Sequence, residues 1–265
     1  MYCEACGAPL PAPMGRGRRR RVCNDACWQR LYRRRQRLAE AGIPMAPVCV
    51  HGCFQAYRDA FKEKVDVIIT DLPYARKFLP LYEDLGQFAL TTLAPGGWLL
   101  CLTGWGMDLE VRQRWNQAGL EFITVGCYGM PSVHSDAVKY SSTGRRAWQE
   151  HHKPLLWYQK PGTKAHRRRA GTSDTIPAHV IGTPDMDQKA REWQQSLSGF
   201  REIVRLYTNP QDVICDPCMG WGTTLAAAVS LERHRCIGIE ILRERYTYAC
   251  EQLGLAVDDS PISLQ

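Results

Sequence analysis

The sequence predicts an α/β protein with a doubly wound, mostly parallel sheet and a small module at its N-terminus. From residue 47 onward, short apolar runs alternate with amphipathic segments, which is typical of a parallel sheet covered by helices on both faces. The chain has 265 residues, 45% of them hydrophobic, which is enough for one such domain and a small appendage. We therefore expect a module at 1–45 and an α/β domain at 46–265.

The candidate elements of this domain are bounded by turn residues. The predicted strands are VDVIIT at 65–70, GWLLCLT at 97–103, LEFITVG at 120–126, PLLWYQ at 154–159, DVICD at 212–216 and RCIGIE at 235–240. Three amphipathic segments end at glycine or before an Asn-Pro turn and predict helices at 81–93, 107–119 and 198–208. The interval 127–185 interrupts the alternation with polar stretches, and long polar insertions in a compact domain are usually functional or disordered.

The positive charge of the chain is concentrated in the N-terminal module. Residues 1–45 contain ten arginines against three acids, so their net charge of +7 equals that of the whole chain. The rest of the chain is neutral overall. A basic head of this kind favours contact with nucleic acid, and a solvated arginine-rich surface is the alternative.

Four cysteines of this module have the spacing of a metal site. Cys3 and Cys6 form one close pair, and Cys23 and Cys27 form a second after a sixteen-residue loop. Two close pairs suit tetrahedral zinc, and closing the loop replaces a core too small to fold alone; four unrelated thiols are the alternative. No export signal and no run of 18 apolar residues is present, so we expect a zinc module, a cytosolic location and no membrane partner.

The segment at 27–42 is predicted to be a helix with a basic surface. Trp28, Leu31 and Tyr32 share one apolar face. The other faces carry arginines that we expect to contact nucleic acid, namely Arg30, Arg33, Arg34 and Arg37. Such contacts go to phosphates, so the binding would ignore sequence and weaken with salt.

The most informative passage is DVICDPCMGWGTTLAAAVSLERHRCIGIE, at 212–240. A strand ends on Asp216, glycines follow at 220 and 222, two threonines begin a helix, and a second strand ends on Glu240. Glycine lets the backbone approach a ligand closely, and an acid at the end of the next strand can accept both hydroxyl groups of a ribose. The spacing therefore predicts a Rossmann-like nucleotide site.

The same passage narrows the class of nucleotide. It lacks the third glycine of the dinucleotide pattern and the Gly-Lys-Ser/Thr of a phosphate loop, and its two acids would repel a pyrophosphate. A cofactor with a ribose and a cationic or zwitterionic remainder fits better, and S-adenosylmethionine is such a cofactor. The alternative is a plain strand–helix–strand turn, although acids at two adjacent strand ends are costly without a ligand or water.

Two passages together resemble a known family. DLPY at 71–74 is similar to the catalytic motif of the amino-methyltransferases of DNA, which is Asp, Asn or Ser followed by Pro-Pro and an aromatic residue. DPCMGWGTT, from residue 216, resembles their S-adenosylmethionine motif. The catalytic motif comes first and the cofactor motif last, as in the β-type members. The resemblance covers about 47–253 and implies the methyltransferase fold and methyl transfer to an exocyclic amine of a base in double-stranded DNA.

The resemblance implies roles for individual residues. In the catalytic motif, Tyr74 stacks on a base flipped out of the duplex, Asp71 and the Leu72 carbonyl accept the amine hydrogens, and Pro73 stiffens the turn. The cofactor-binding residues are Asp216, Pro217, Cys218, Gly220, Gly222, Thr223, Thr224 and Glu240, joined from two weaker matches by His51, Cys53, Gln195 and Ser196. Cys53 replaces an aspartate of many relatives, and Gln195 and Ser196 stand where many relatives have lysine and proline and some have glutamine and serine.

The resemblance is a weaker guide to which base is methylated. An acid at 71 is commoner in N6-adenine members, so adenine is the expected base, with cytosine N4 or RNA as alternatives. An alternative function of another class is a zinc-dependent regulator that binds DNA and the cofactor but does not transfer the methyl group. The interval 127–185 stands where relatives place target recognition, and we expect contacts to phosphates or guanine edges from Arg145, Arg146, Arg167, Arg168 and Arg169.

The resemblance also bears on the biological setting. We expect the protein to work in a prokaryotic or phage-infected cell, in restriction–modification, evasion of restriction or regulation. The oligomeric state stays open, with a dimer compatible with the sequence.

Overall fold

The structure is a computed structural model, and the residues that it describes are 3, 10, 22–29, 32–33, 46–104, 106–129, 152–162, 179–181 and 194–257. Eight strands form a single sheet: β1 (Val48–His51), β2 (Val65–Asp71), β3 (Leu93–Leu102), β4 (Glu121–Gly129), β5 (His152–Gln159), β6 (His179–Ile181), β7 (Ile214–Asp216) and β8 (Cys236–Glu240). Their order across the sheet is β1-β8-β7-β2-β3-β5-β4-β6. Among these strands, β5 alone runs antiparallel to its neighbours, so the predicted mostly parallel sheet is confirmed.

Helices cover both faces of this sheet. The α-helices described in the α/β domain are α1 (Leu79–Thr92), α2 (Asp108–Ala118), α3 (Leu197–Tyr207), α4 (Thr223–Ser230) and α5 (Arg243–Gln252). Helices α1 and α2 contribute to one hydrophobic cluster, whereas α3, α4 and α5 contribute to another. The predicted doubly wound architecture is thus confirmed. None of the described helices is long and apolar enough to cross a membrane.

The sequence of β2 shows why this sheet is buried on both sides. Ile68 belongs to the first cluster, whereas its neighbours Val67 and Ile69 belong to the second. Successive side chains of a strand point to opposite faces, so a strand covered on both sides must be apolar at every position. Four of the five residues from Val65 to Ile69 are apolar, with Asp66 the exception, so β2 largely meets this requirement.

The largest differences from the expectations concern three strands. Strands β1 and β6 were not predicted, because four and three residues are too few to show a period. Strand β3 begins at Leu93 and not at the predicted Gly97, and its register against β2 shifts between Val65 and Val67. The Ala94–Gly97 segment therefore forms an irregularity inside the strand. Glycine is needed there, since a Cβ on Gly97 would lie 2.9 Å from two backbone oxygens.

The N-terminal module is described only in part. Residues 25–29 and 32–33 are helical, which agrees with the predicted basic helix, and the remainder of that helix lies outside the described residues. Cys3 and Cys27 are buried and belong to the same hydrophobic cluster as Val50 and Phe54. The division of the chain at residue 45 stays a prediction.

Candidate methyl-transfer site

The carboxyl ends of four neighbouring parallel strands carry polar side chains. His51 ends β1, Glu240 ends β8, Asp216 ends β7 and Asp71 ends β2. These strands are consecutive in the sheet, so the four residues form a row along one edge. Ligands of open α/β sheets bind outside the carboxyl ends of the strands, and this edge is therefore the candidate site.

Asp216 is the most enclosed acid of the row. Its Oδ1 atom accepts hydrogen bonds from the Thr70 hydroxyl at 2.7 Å and from the Cys218 N–H at 3.1 Å, and its Oδ2 atom accepts one from the Thr224 hydroxyl. Burial nevertheless raises the pKa of Asp216 from its ordinary value of 3.8 to about 7. A carboxylate that burial disfavours to this extent is stabilised by a cation placed beside it, which a cationic cofactor would supply.

The glycine loop after β7 holds Glu240. The Gly220 N–H donates to Glu240 Oε2 at 2.9 Å, and the Leu242 N–H donates to Oε1 at 2.7 Å. A carboxylate has about four acceptor positions, so these hydrogen bonds do not exhaust its capacity to accept one from a ribose hydroxyl. Burial raises the pKa of Glu240, while these backbone donors lower it. The orientation of the predicted ribose acceptor is thus fixed before a ligand arrives.

Gly220 and Gly222 of this loop have φ angles of 55° and 84°, a left-handed conformation that side chains with a Cβ disfavour. A Cβ on Gly222 would lie 2.9 Å from the Ala249 Cβ on α5, whereas a Cβ on Gly220 would meet nothing within 4 Å. The open space at Gly220 is where a ligand can approach the backbone. Pro217 and Thr223 lie in the same stretch, and Thr223 begins α4.

We predict that alanine at these two glycines has different effects. Gly222→Ala should lower the free energy of unfolding by about 2–4 kcal/mol, because it combines backbone strain with a steric overlap. Gly220→Ala should cost about 1–2 kcal/mol from the backbone alone, yet weaken S-adenosylmethionine binding because its methyl group enters the ligand space. Urea unfolding and calorimetric titration measure the two quantities. Equal losses of stability, or unchanged cofactor affinity in Gly220→Ala, would contradict this interpretation.

Asp71 is held by two neutral donors. The Tyr74 hydroxyl donates to Oδ1, and the side-chain amide of Gln195 donates to Oδ2. Although the residue keeps some exposed surface, its carboxyl group is enclosed, and burial raises the pKa of Asp71 to about 6. Lys153 and the two hydrogen bonds act in the opposite direction on that pKa. Asp71 is therefore a carboxylate at neutral pH with both oxygens already oriented.

The turn that follows Asp71 is anchored by its leucine. Leu72 is 1% exposed, and its side chain belongs to the hydrophobic cluster under α1. The Leu72 carbonyl oxygen accepts a long hydrogen bond from the Tyr82 hydroxyl at 3.4 Å and has a second acceptor position for another donor. The position of this leucine is thus held by buried contacts.

Tyr74 stands next to a position that has no side chain. A Cβ on Gly104 would lie 2.7 Å from the Tyr74 Cβ, so the tyrosine occupies space that any other residue at 104 would fill. The Lys153 ammonium lies 4.8 Å from the centroid of the Tyr74 ring. Pro73 lies between Leu72 and Tyr74 on the surface of the turn. The four residues of the DLPY motif therefore bring a carboxylate, a carbonyl and an aromatic face to the same edge of the sheet.

The four residues of the weaker cofactor predictions lie in different surroundings. The His51 ring stacks on Tyr246 with centroids 5.1 Å apart, and its Nε2 lies 3.1 Å from the Ile241 carbonyl oxygen. The Cys53 thiol donates to the Gln55 side chain. Ser196 caps α3 by accepting a hydrogen bond from the Gly199 N–H at 3.3 Å. Gln195 contacts the catalytic motif. A cofactor contact by any of these four residues stays a prediction.

Sequence reasoning missed two residues of the site. Thr70 links the end of β2 to Asp216, and a threonine directly after the buried apolar residues 67–69 was the available signal. Lys153 lies near the start of β5, and nothing in the local sequence separates it from the other basic residues of the 127–185 interval. Its position depends on strand pairing, which the sequence alone does not reveal.

The predicted metal ligands that the structure describes lie together. The sulfur atoms of Cys3, Cys23 and Cys27 are within 4.8 Å of one another. Ligands around a tetrahedral zinc with Zn–S bonds of about 2.3 Å lie about 3.8 Å apart, so this spacing fits the metal. The Cys23 N–H donates to the Cys3 sulfur at 3.3 Å, a contact that favours a thiolate. Cys6 lies outside the described residues.

The predicted nucleic-acid contacts are described at one position. Arg33 is exposed and lies in the helical stretch with Tyr32. Trp28 and Tyr32 of the predicted apolar face are 47% and 49% exposed. The other predicted arginines lie outside the described residues, namely Arg30, Arg34, Arg37, Arg145, Arg146, Arg167, Arg168 and Arg169.

Comparison with known families agrees with this geometry. Residues 65–251 match the model of the N6/N4 methyltransferase family, described as DNA methylase. The matched region is more than half of the chain and contains both the DLPY turn and the glycine loop. The chain therefore belongs to this DNA methylase family.

Individual relatives are more distant. The chain is 26% identical over 129 residues to Type II methyltransferase M.HindIII of Haemophilus influenzae, and the match covers 38% of this chain and 40% of that protein. The crystal structure of the M1.HpyAVI–SAM complex has a TM-score of 0.62 at 23% identity, over 79% of this chain and 100% of that one. The cytosine-N4-specific PvuII DNA methyltransferase has a TM-score of 0.63 at 13% identity, over 84% and 90%. These likenesses confirm the methyltransferase fold.

Proposed function

We propose that the protein transfers the methyl group of S-adenosylmethionine to the N6 amine of adenine in double-stranded DNA. One observation carries this proposal. The Thr70 hydroxyl, adjacent to Asp71, donates to Asp216 Oδ1 at 2.7 Å, and β2 pairs with β7. Asp71 of the DLPY turn and Asp216 before the glycine loop are 145 residues apart in the chain. This contact joins the two segments at neighbouring strand ends.

The acids of the site suit S-adenosylmethionine. This cofactor supplies an electrophilic methyl group on a positively charged sulfur, together with a ribose and an amino-acid portion. Glu240 is oriented to accept the ribose hydroxyls, and the open backbone at Gly220 permits close approach. Asp216, whose pKa burial raises to about 7, favours a cation beside the end of β7. The residues present therefore fit the cofactor.

The DLPY turn has the groups needed to hold an exocyclic amine. Tyr74 offers an aromatic face for a flipped base, and stacking of this kind contributes about 1–3 kcal/mol. The amine hydrogens would be accepted by Asp71, in place of one of its present donors, and by the Leu72 carbonyl. Its lone pair then points along the line of transfer, and holding it there lowers the barrier by several kcal/mol.

The proton balance of the reaction also involves Asp71. When bound, the cofactor would supply the methyl group and keep the electron pair of the broken C–S bond, and the methylated amine would carry a positive charge. It must then lose one proton. Asp71, hydrogen-bonded to that amine and with a pKa of about 6, is positioned to receive the proton and return it to water.

A comparison of acceptors tests the reaction. Full-length protein is incubated with S-adenosylmethionine carrying a tritiated methyl group and with equal amounts of unmethylated duplex DNA, single-stranded DNA or RNA. We expect label in DNA. Label in RNA alone would show that DNA is not the substrate. Binding of cofactor and DNA without label in either polymer would support the alternative of a DNA-binding regulator.

The choice of base rests on the acid at position 71. This residue type is commoner in the N6-adenine members that the DLPY motif resembles. Cytosine N4 is the competing target, because it too presents an amine with two hydrogens and the same acceptors suit it. The fold does not distinguish them, since the cytosine-N4-specific PvuII enzyme shares it.

Zinc is proposed for the N-terminal module, with Cys3, Cys6, Cys23 and Cys27 as ligands. We predict about one zinc ion per purified chain, as expected for a closed four-thiolate site. Cys3→Ser and Cys6→Ser should each lower that content and reduce the helical signal of the module, whereas Cys127→Ser, at a half-buried thiol outside this group, should not. Elemental analysis measures the metal. Equal zinc in Cys3→Ser, Cys6→Ser and wild type would refute the assignment.

The basic helix is proposed to bind DNA phosphates. We predict that changing Arg30, Arg33, Arg34 and Arg37 together to glutamine weakens DNA binding. The plot of log K against log salt concentration should become flatter, by about 0.9 for each phosphate that the variant no longer neutralises. Arg58→Gln, at an exposed residue of the α/β domain, is the control. Fluorescence anisotropy over a salt series provides the slopes, and an unaltered slope in the fourfold variant would count against phosphate binding by this helix.

A further inference from the structure

A lysine reaches the acidic edge of the sheet because one strand runs backwards. The first residues of β5 lie level with the last residues of the parallel strands. Leu155 of β5 pairs with Leu102 of β3, and Leu102 pairs with Asp71 of β2. Lys153, two residues before Leu155, therefore lies just above the end of β2. If β5 ran parallel to β3 and β4, its last residues and not its first would lie at the site.

The contacts of Lys153 lead to both oxygens of Asp71. Its Nζ donates to Gln195 Oε1 at 3.1 Å, and the amide of Gln195 donates to Asp71 Oδ2. The same Nζ lies 4.8 Å from the centroid of the Tyr74 ring, and the Tyr74 hydroxyl donates to Asp71 Oδ1. Each of these two hydrogen bonds to the carboxylate thus comes from a residue that also contacts the lysine.

The chemistry of these groups fixes the direction of the network. An ammonium group only donates hydrogen bonds and a carboxylate only accepts them. The amide of Gln195, between the two, satisfies both only with its oxygen toward Lys153 and its nitrogen toward Asp71. A neutral side chain at 153 that also accepts hydrogen bonds would leave the amide able to flip.

Lys153 also supplies the positive charge near Asp71. The described titratable groups that face Asp71 come from its own turn, α1, β3, β5 and β7, and they are Tyr74, Tyr82, Cys101, Lys153 and Asp216. Of these, Lys153 is the cation. Burial lowers the pKa of Lys153, and the nearby Asp71 carboxylate raises it, as expected for a partly enclosed ion pair.

We propose that Lys153 is a positioning residue of the methyl-transfer site, which orients the Asp71 carboxylate through Gln195 and Tyr74 and keeps it charged. This inference rests on the proposed function for its catalytic meaning.

Two lysines of the same strand region provide a matched test. Lys153→Met removes the ammonium group and keeps the length of the side chain. Lys160→Met does the same just beyond the other end of β5, where the Lys160 ammonium contacts Glu63 at 3.1 Å and the Leu93 carbonyl oxygen at 2.9 Å. Lys153→Arg keeps the charge, and Lys153→Gln is a second neutral variant if the methionine protein does not fold.

The first readout needs no turnover. The carboxyl carbon of Asp71 is followed by NMR through a pH titration of cofactor-free protein, with Asp71→Asn to assign the signal. We expect the pKa of Asp71 to lie near 6 in wild type and Lys160→Met, and to move upward by roughly one unit in Lys153→Met, because a nearby cation is removed. Lys153→Arg should stay close to wild type. An unchanged titration in both neutral variants would overturn the proposal.

The second readout is the pH profile of methyl transfer. In Lys153→Met the acid limb should move to higher pH by the same amount, while the Kd for S-adenosylmethionine stays within about threefold of wild type. A uniform loss of rate without a shift would indicate a merely structural role and overturn the proposal. If wild type transfers no methyl group, the proposed function fails, while the NMR comparison still decides whether Lys153 controls Asp71.

Discussion

Asp71→Asn is expected to abolish most of the methyl transfer, with kcat lower by about 10²–10⁴-fold. The Tyr74 hydroxyl and the Gln195 amide both donate to this carboxylate. An asparagine offers one acceptor and one donor in the same space, so at most one of these hydrogen bonds keeps its present direction, and the Tyr74 hydroxyl must turn to accept the other. The variant also lacks the negative charge that orients the target amine and receives its proton. Single-turnover transfer into DNA measures the effect.

The loss should concern the chemical step and not the binding of the cofactor. The hydrogen bonds of the Asp71 carboxylate come from Tyr74 and Gln195 and not from the glycine loop, so the affinity for S-adenosylmethionine should change by less than about tenfold. Asp59→Asn, at an exposed residue of the same domain, controls for the substitution itself. A variant at 71 that transfers methyl groups at more than about a tenth of the wild-type rate would remove Asp71 from the mechanism.

Asp216→Asn is expected to weaken S-adenosylmethionine binding by about 10–100-fold, since a buried hydrogen-bonded charge contributes about 1.5–3 kcal/mol. The asparagine keeps the shape of the side chain, and the hydroxyls of Thr70 and Thr224 can rotate to match its amide. The fold should therefore survive. Calorimetric titration gives the affinity, and Glu244→Gln, at an exposed residue of α5, is the control. Wild-type affinity in Asp216→Asn would contradict the cofactor assignment.

The same residue predicts how stability depends on pH. The pKa of Asp216 rises from 3.8 to about 7 on folding, chiefly through burial, so the folded state binds a proton that the unfolded state has released in this range. The free energy of unfolding should consequently fall as the pH rises from about 4 to about 7, and change little above that. Asp216→Asn should show less of this fall. Urea unfolding of cofactor-free protein at several pH values measures it.

Binding of the cofactor should show the opposite trend. A cationic ligand prefers the ionised form of Asp216, so the affinity for S-adenosylmethionine should increase as the pH rises through about 7, the pKa of that group. The residue thus destabilises the cofactor-free protein near neutral pH and stabilises the complex. Asp216→Asn should bind weakly with little dependence on pH in this range.

The sequence revealed the parts of the fold that depend on local pattern. The β2 run is apolar at nearly every position because both faces of the sheet are covered, and that run was recognisable without a structure. β1 was missed because four residues carry too little pattern, although it places His51 beside Glu240. The start of β3 was missed because the Pro-Gly-Gly segment, which was interpreted as the end of the preceding helix, lies inside the strand as an irregularity.

The site divides in the same way. The DLPY turn and the glycine loop are contiguous motifs, so their residues could be named from the sequence, and the structure brings them together at neighbouring strand ends. Thr70 and Lys153 act across the sheet, and their importance depends on which strands are neighbours and on the direction of β5. Pairing of this kind is decided by the whole fold. The residues adjacent to Lys153 give no sign of it, and the available sign at Thr70 is a polar residue near the end of a mostly apolar run.

The most direct test of the central claim is to identify the product. Wild-type protein is incubated with unmethylated duplex DNA and S-adenosylmethionine that carries a trideuterated methyl group, and the DNA is digested to nucleosides for mass spectrometry. We predict N6-methyladenine with three deuterium atoms, absent when Asp71→Asn replaces wild type. Trideuterated N4-methylcytosine would keep the mechanism and correct the base. DNA that contains no deuterated methyl group, although the protein binds both the cofactor and DNA, would contradict the proposal that this chain is an active methyltransferase.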